Sequence, residues 1–253
     1  MSSIFVEASE LPVLVLLHGA TGNGRMWDPV RRILEARGYR VLTPDLPGHG
    51  ARRGQRFTLE AAVQVVVDEV RAVAPAPVLV AGDSLGGYVT MAAAAALPPG
   101  QLVGAVASGC TLVFEGNALW PFRIKGLVNR LLVAVVGEKR LLGKRFVAEL
   151  GKLGVAEPDA RALIDAGVNV AAFGDCVSAL TGVDFPAKLA PIQAPVLFVN
   201  GGADKPMLRD LARYRAAVPA ARHEVFPGVD HGVSLRKSAE FADLIDEFAR
   251  KPV

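Results

Sequence analysis

Short apolar runs that each end in a glycine turn constrain this chain more than any other feature. Leu11–Leu17 (Leu-Pro-Val-Leu-Val-Leu-Leu) stops at His18-Gly19, Pro77–Ala81 stops at Gly82, and Pro195–Asn200 stops at Gly201-Gly202. Runs this short, rich in β-branched residues and without polar alternation, read as strands buried on both faces. Helical patterns lie between them. Over 58–73, Leu59, Val63, Val66, Val70 and Val73 recur at i, i+4 and i+7, with Thr58 at the N-cap and Phe57 at the staple position. Met91–Ala96 is almost all alanine, which lets a helix lie close against a sheet, and Pro98-Pro99-Gly100 ends it. After Ser238, the residues Phe241, Leu244, Ile245 and Phe248 form another buried stripe. Strands alternating with such helices predict an α/β fold, a mostly parallel central sheet with helices on both faces.

The turns carry the chemistry-bearing residues. Gly82-Asp83-Ser84-Leu85-Gly86-Gly87 joins the strand at 77–81 to a helix-forming stretch, Tyr88–Leu97. A sharp strand-to-helix turn of this kind needs glycines on either side of the serine, where a Cβ would collide, and it presents Ser84 Oγ at its apex. His18-Gly19-Ala20-Thr21-Gly22-Asn23-Gly24 is a glycine-rich loop before a helix at 26–37. Gly201-Gly202-Ala203-Asp204 follows the strand at 195–200, and Gly228-Val229-Asp230-His231-Gly232 follows a short strand at 224–226. Ser84, Asp204 and His231 therefore each stand just past a strand. In an open parallel sheet the carboxyl ends of the strands share one rim, where such folds place their sites.

Taken together with Trp27 and with Asp45-Leu46-Pro47-Gly48-His49-Gly50, these pieces resemble the serine-nucleophile α/β-hydrolases that bear a helical cap. The matching segments run from residue 17 to 232, and the order Ser…Asp…His is the one such a triad takes on this sheet. The resemblance implies that Ser84 is the nucleophile, His231 its base and Asp204 the carboxylate that orients the imidazole. Asp230, Asp184 and Asp83 are the competing carboxylates. It also implies an oxyanion hole made by the backbone N–H groups of Ala20 and Leu85. The implied activity is cofactor-independent and metal-free cleavage of a carboxylic ester, thioester or lactone with an apolar acyl group, through an acyl-enzyme. C–C bond hydrolysis or a lyase reaction with His231 as base is the alternative, and a non-catalytic ligand-binding protein is a third. Relatives with an aspartate nucleophile, the haloalkane dehalogenases and epoxide hydrolases, are excluded by the serine. Asp45 and His49 are expected to shape the turn after a strand at 40–43, and Trp27 to anchor a helix.

Two departures from a minimal sheet are expected. Only one short strand, around Ile4 to Ala8, fits before His18, so the family's N-terminal edge hairpin is shortened. The strands at 101–108 and 195–200 are separated by far more chain than one crossover helix needs. Residues 110–185 are thus expected to form a helical cap between strands 6 and 7 of the family count, with 1–109 and 186–253 as the core. Within the cap, Leu127–Val136, Glu138–Leu150 and Pro158–Thr181 read as helices. Arg123, Lys125, Arg130, Lys139, Arg140, Lys144, Arg145 and Lys152 form a basic outer face. Leu127, Leu131, Leu132, Val135 and Phe146 are expected to form an underside that receives an acyl or alicyclic group. A membrane-surface role for the cap is the weaker reading, since no cap segment reads as combining clean amphipathicity with interfacial aromatics.

The resemblance implies a small-molecule substrate, and charge and cysteine content add no other partner. The net charge of +3 comes with no basic stripe interleaved with aromatics, so no nucleic acid is expected. Cys110 and Cys176 show no metal-ligand spacing and no pairing is expected; Cys110 reads as a small buried residue beside the pocket. The N-terminus lacks a basic n-region, and no uninterrupted apolar run reaches ~18 residues. The expectation is a cytoplasmic protein with no membrane span.

Overall fold

A wholly parallel six-stranded sheet organises the computed structural model, which describes residues 11–98 and 100–250. The strands are β1 (Val13–Leu17), β2 (Val41–Leu42), β3 (Val78–Asp83), β4 (Leu102–Ser108), β5 (Val196–Gly201) and β6 (Arg222–Phe226). Their spatial order is β2-β1-β3-β4-β5-β6. All five pairings are parallel. The register brings Leu17 beside Gly82, Asp83 beside Ser108 and Gly201 beside Phe226, which aligns the strand ends along one rim. The strand expected around Ile4 to Ala8 lies outside the described residues.

Alternate residues of each strand feed two cores, as the period of two requires. Leu14, Leu16, Leu79, Ala81 and Val106 pack against α1 (Asp28–Ala36) and the helix Ser238–Arg250 on one face. Val13, Val15, Leu17, Val78 and Val80 pack against α2 (Leu59–Val73) and α3 (Leu85–Ala94) on the other. The hydroxyl oxygen of Thr58 accepts a hydrogen bond from Ala61 N–H at 3.1 Å and starts α2 where the capping pattern placed it. Every residue of α3 is buried, consistent with a helix of small side chains pressed onto the sheet. Trp27 is wholly buried against Phe241, with ring centroids 5.8 Å apart.

The long connection between β4 and β5, the strands that flank the expected insertion, is helical. It opens with α4 (Trp120–Val136), which starts earlier than expected because Pro121 sits in its first turn. Shorter helices follow at Glu138–Leu141, Lys144–Lys152, Glu157–Asp165, Phe173–Leu180 and Phe185–Leu189. The helix expected over Pro158–Thr181 is broken in two. Gly167 has φ +99°. Asn169 is then drawn down to the core, its N–H donating to Thr21 O at 2.9 Å and its amide to Gly48 O at 2.8 Å. Two tertiary hydrogen bonds to the core outcompete helix continuation there.

The rotation of α4 also differs from expectation. Gly126 is the one buried residue among its seventeen, and a Cβ on it would stand 2.8 Å from Gly174 Cα. That close approach seats α4 on the helix Phe173–Leu180 by its 122–126–129 face. Leu127, Leu131, Leu132 and Val135 consequently point to solvent instead of forming an underside. No single helix among the described residues is long and apolar enough to cross a membrane.

Candidate active site

The turn after β3 is strained as the glycine spacing requires. Ser84 has φ 55° and ψ −115°, a backbone region that non-glycine residues rarely occupy. A Cβ on Gly82 would meet the Gly86 carbonyl at 2.2 Å, and one on Gly86 would meet Leu17 O at 2.0 Å. The turn is locked across the sheet by Ser84 N–H donating to Ser108 O at 2.7 Å. Ser84 Oγ thereby stands above the rim, at the start of α3.

The loops after β5 and β6 interlock. Ala203 N–H donates to Val229 O at 2.8 Å, and a Cβ on Gly201 would lie 2.4 Å from that same oxygen. This contact brings two sequence-distant residues to the serine. The Ser84 hydroxyl donates to His231 Nε2 at 2.9 Å, and His231 Nδ1–H donates to Asp204 Oδ2 at 2.6 Å. Asp204 is 3% exposed, while the His231 side chain is 43% exposed at the pocket mouth. Burial pushes the His231 pKa down, but the Asp204 hydrogen bond and the charges of Asp83 and Asp204 outweigh it; the net position is above the ordinary value. Lys125 pulls in the opposite direction.

Each competing carboxylate is engaged elsewhere. Asp230 Oδ1 accepts the His231 backbone N–H at 2.8 Å, not its ring. Asp184 Oδ1 accepts Ala187 N–H at 3.1 Å and caps the helix Phe185–Leu189. Asp83 accepts the Ser108 hydroxyl at 2.7 Å, and burial holds its carboxyl above the usual range.

The loop carrying Ala20 is braced by two histidines. Wholly buried His18 donates from Nδ1 to Gly19 O at 2.8 Å and accepts Leu46 N–H on Nε2 at 3.0 Å. Burial first, and then neighbouring His49, lower its pKa to about 3, so both contacts keep a neutral ring at physiological pH. His49 Nε2 accepts Thr21 N–H at 3.2 Å while its Nδ1–H donates to Pro47 O at 2.9 Å. Asp45 accepts Gly24 N–H at 2.8 Å and Ala51 N–H at 2.7 Å, the turn-shaping role expected of it. The backbone N–H groups of Ala20 and Leu85 donate to no protein acceptor among the described residues, and both residues line the cavity above Ser84.

That cavity has a volume of about 540 Å³, within the range of small-molecule sites. Its apolar lining comes from Phe114, Phe122, Phe146, Phe173, Val177 and Leu180, with Lys125 and Asn129 as the polar side chains of α4. Of the underside expected from sequence, only Phe146 lines it. Lys125, expected on the outer face, lies with its Nζ 4.8 Å from the Phe173 ring centroid. Cys110 is buried under Gly87 and does not line the cavity, whereas Cys176 does. Sequence reasoning missed Phe122, Phe173 and Val177; the paired glycines at 126 and 174 were the signal that could have found them. Among the described residues no His, Cys, Asp and Glu side chains gather into a metal-holding group.

The arrangement has counterparts among known proteins. Residues 14–244 match the model of the alpha/beta hydrolase family. The chain is 32% identical over 252 residues to a pimeloyl-[acyl-carrier protein] methyl ester esterase of Aromatoleum aromaticum, a match covering 94% of this chain and 98% of that one. The protein with the same name from Nitrosomonas europaea is 28% identical over 268 residues, covering 97% and 99%. Among solved structures, E-2-(acetamidomethylene)succinate hydrolase superposes with a TM-score of 0.73 at 20% identity, covering 95% of this chain and 92% of that one.

Proposed function

Because this chain belongs to the alpha/beta hydrolase family and is a hydrolase, we propose that it cleaves a carboxylic ester through an acyl-enzyme formed on Ser84. The observation that carries the reading is the continuous relay from Ser84 Oγ through His231 to buried Asp204, with links of 2.9 and 2.6 Å. A serine hydroxyl is a weak nucleophile at neutral pH and needs such a base in contact. His231 Nε2 takes the Ser84 proton as Oγ attacks the ester carbonyl, and returns it to the departing alcohol. Asp204 fixes the tautomer with the proton on Nδ1 and stabilises the imidazolium. The tetrahedral oxyanion forms against the free N–H groups of Ala20 and Leu85, and each such donor lowers the barrier by ~3 kcal/mol. Water, activated by the same imidazole, then releases the acid.

Residues 110–185 act in this reading as a cap, with 1–109 and 186–253 as the core beneath it. The phenylalanine-rich cavity suits an apolar acyl chain, and Lys125 and Asn129 offer polar contacts part-way along it. The relatives named pimeloyl-[acyl-carrier protein] methyl ester esterases support a methyl ester as the scissile group, with the acyl part free or borne on a carrier protein. Thioesters and lactones would use the same relay.

A fluorophosphonate probe tests the nucleophile. Labelling is expected on the intact protein and absent from Ser84→Ala. Equal labelling of both proteins, or of neither, overturns the assignment. With aryl esters of graded chain length, turnover efficiency is expected to rise from acetyl toward medium chains, and a steady preference for acetyl would contradict the cavity argument.

A further inference from the structure

The outward face of α4 is an apolar stripe that the protein itself does not cover. Trp120, Ile124, Leu127, Leu131 and Val135 are 62%, 55%, 61%, 55% and 82% exposed. They recur at i, i+4, i+7, i+11 and i+15, so they share one side of a helix about 25 Å long. Soluble surfaces seldom present a contiguous patch of large aliphatic residues on this scale. Charge is concentrated around it: residues 120–145 hold seven basic side chains and one acidic one, a local net charge of +6 in a chain of net +3. The single acid, Glu138, is bonded to Arg53, and Arg130 to Asp175. Arg123, Lys139, Arg140, Lys144 and Arg145 have no carboxylate partner among the described residues.

We infer that α4 is a docking face for an anionic lipid bilayer. The apolar stripe lies in the plane of the interface, with Trp120 at headgroup level, and the flanking basic residues meet lipid phosphates. A second copy of the chain fits less well, because pairing the two stripes would bring two strongly positive segments together. The opposite side of the same helix contributes Phe122, Lys125 and Asn129 to the cavity above Ser84. A docked bilayer therefore lies against the roof of the cavity, where an ester dissolved in the membrane has a short route to it. That last consequence rests on the proposed function; the docking does not.

Co-sedimentation of the whole protein with vesicles tests the inference. One set contains about one-third phosphatidylglycerol in phosphatidylcholine and the other phosphatidylcholine alone. Binding is expected to the anionic set and to weaken by about tenfold or more when salt is raised. The Trp120 emission should shift to the blue, while Trp27, already buried, contributes an unchanged background. Leu127→Gln, Leu131→Gln and Val135→Gln combined should abolish binding and leave the melting temperature and fluorophosphonate labelling of Ser84 unchanged, since all three residues are exposed. Absence of vesicle binding by the intact protein overturns the inference, as does equal binding by the triple variant. A soluble acidic protein captured through the same face, or dimerisation abolished by the same substitutions, with vesicles inert, would also overturn it. Loss of Ser84 labelling in the intact protein would instead refute the proposed chemistry, leaving the docking result to be read separately.

Discussion

Replacing Gly86 by alanine tests how the two walls of the site are held together. A Cβ at this position would stand 2.0 Å from Leu17 O and 2.9 Å from His18 O, both backbone atoms that cannot swing aside. Ordinary contact begins near 3.4 Å, so α3 must part from the end of β1 by about 1 Å or more, a displacement that misaligns a reacting site. The gap opens between the two proposed oxyanion donors, Leu85 N–H on the α3 side and Ala20 N–H on the β1 side. Displacing one donor costs ~3 kcal/mol of barrier, or about 10²-fold in kcat. The overpacking costs about 1–3 kcal/mol of stability. Gly151→Ala is the control, because nothing lies within 4 Å of its Cβ position in an exposed helix; there the substitution should be neutral or stabilise by about 0.5–1 kcal/mol. Turnover of a soluble aryl ester and thermal denaturation of both variants decide the matter. A Gly86→Ala protein with normal melting and normal kcat would refute the close-approach argument. One that melts lower yet turns over normally would refute only the oxyanion part.

Other substitutions probe the relay and its surroundings. Asp204→Asn should leave the fold intact and lower kcat by roughly 10³–10⁴-fold. It also removes a contribution that raises the His231 pKa, so the acidic limb of the kcat/KM profile should move to lower pH. Lys125→Met should move that limb the other way, because Lys125 disfavours the imidazolium; with His231 part-exposed the shift is small, and movement to lower pH would contradict the placement. Stability should fall on acidification. His18, His49 and His223 all have pKa values depressed by burial. The unfolded chain therefore binds more protons as pH drops below 6.5, and His18 extends the loss toward pH 3. His231, with its raised value, opposes this only in part. A urea midpoint at pH 5.5 equal to or above that at pH 7.5 would show the sign to be wrong. Thr58→Ala removes the α2 cap and should cost about 1 kcal/mol by chemical denaturation.

Much of the core was legible from sequence because its causes are local. A short β-branched run without polar residues, closed by a glycine turn, reads as a buried strand, and the serine between glycines at the strand–helix junction takes φ 55° in a tight turn. Such features predicted the parallel sheet and the placement of Ser84, Asp204 and His231 along one rim. The sequence-adjacent Asp230 looked like a competitor, yet only the interlocked loops after β5 and β6 show which oxygen meets the imidazole. The bracing of the Ala20 loop by His18 and His49 depends on hydrogen bonds spanning 28 residues, and no local pattern reports them.

The inserted helices are the least legible part of the sequence, and α4 shows why. Periodicity established that apolar residues recur along it, and that much belongs to the sequence alone. Which side of the helix meets the protein depends on its rotation, and intrinsic propensity does not set that. Contact between Gly126 and Gly174, 48 positions apart, sets it by letting two backbones approach more closely than any side chain allows. Leu127, Leu131 and Val135, expected beneath the cap, instead face outward, because the close approach turns the 122–126–129 face of α4 to the protein.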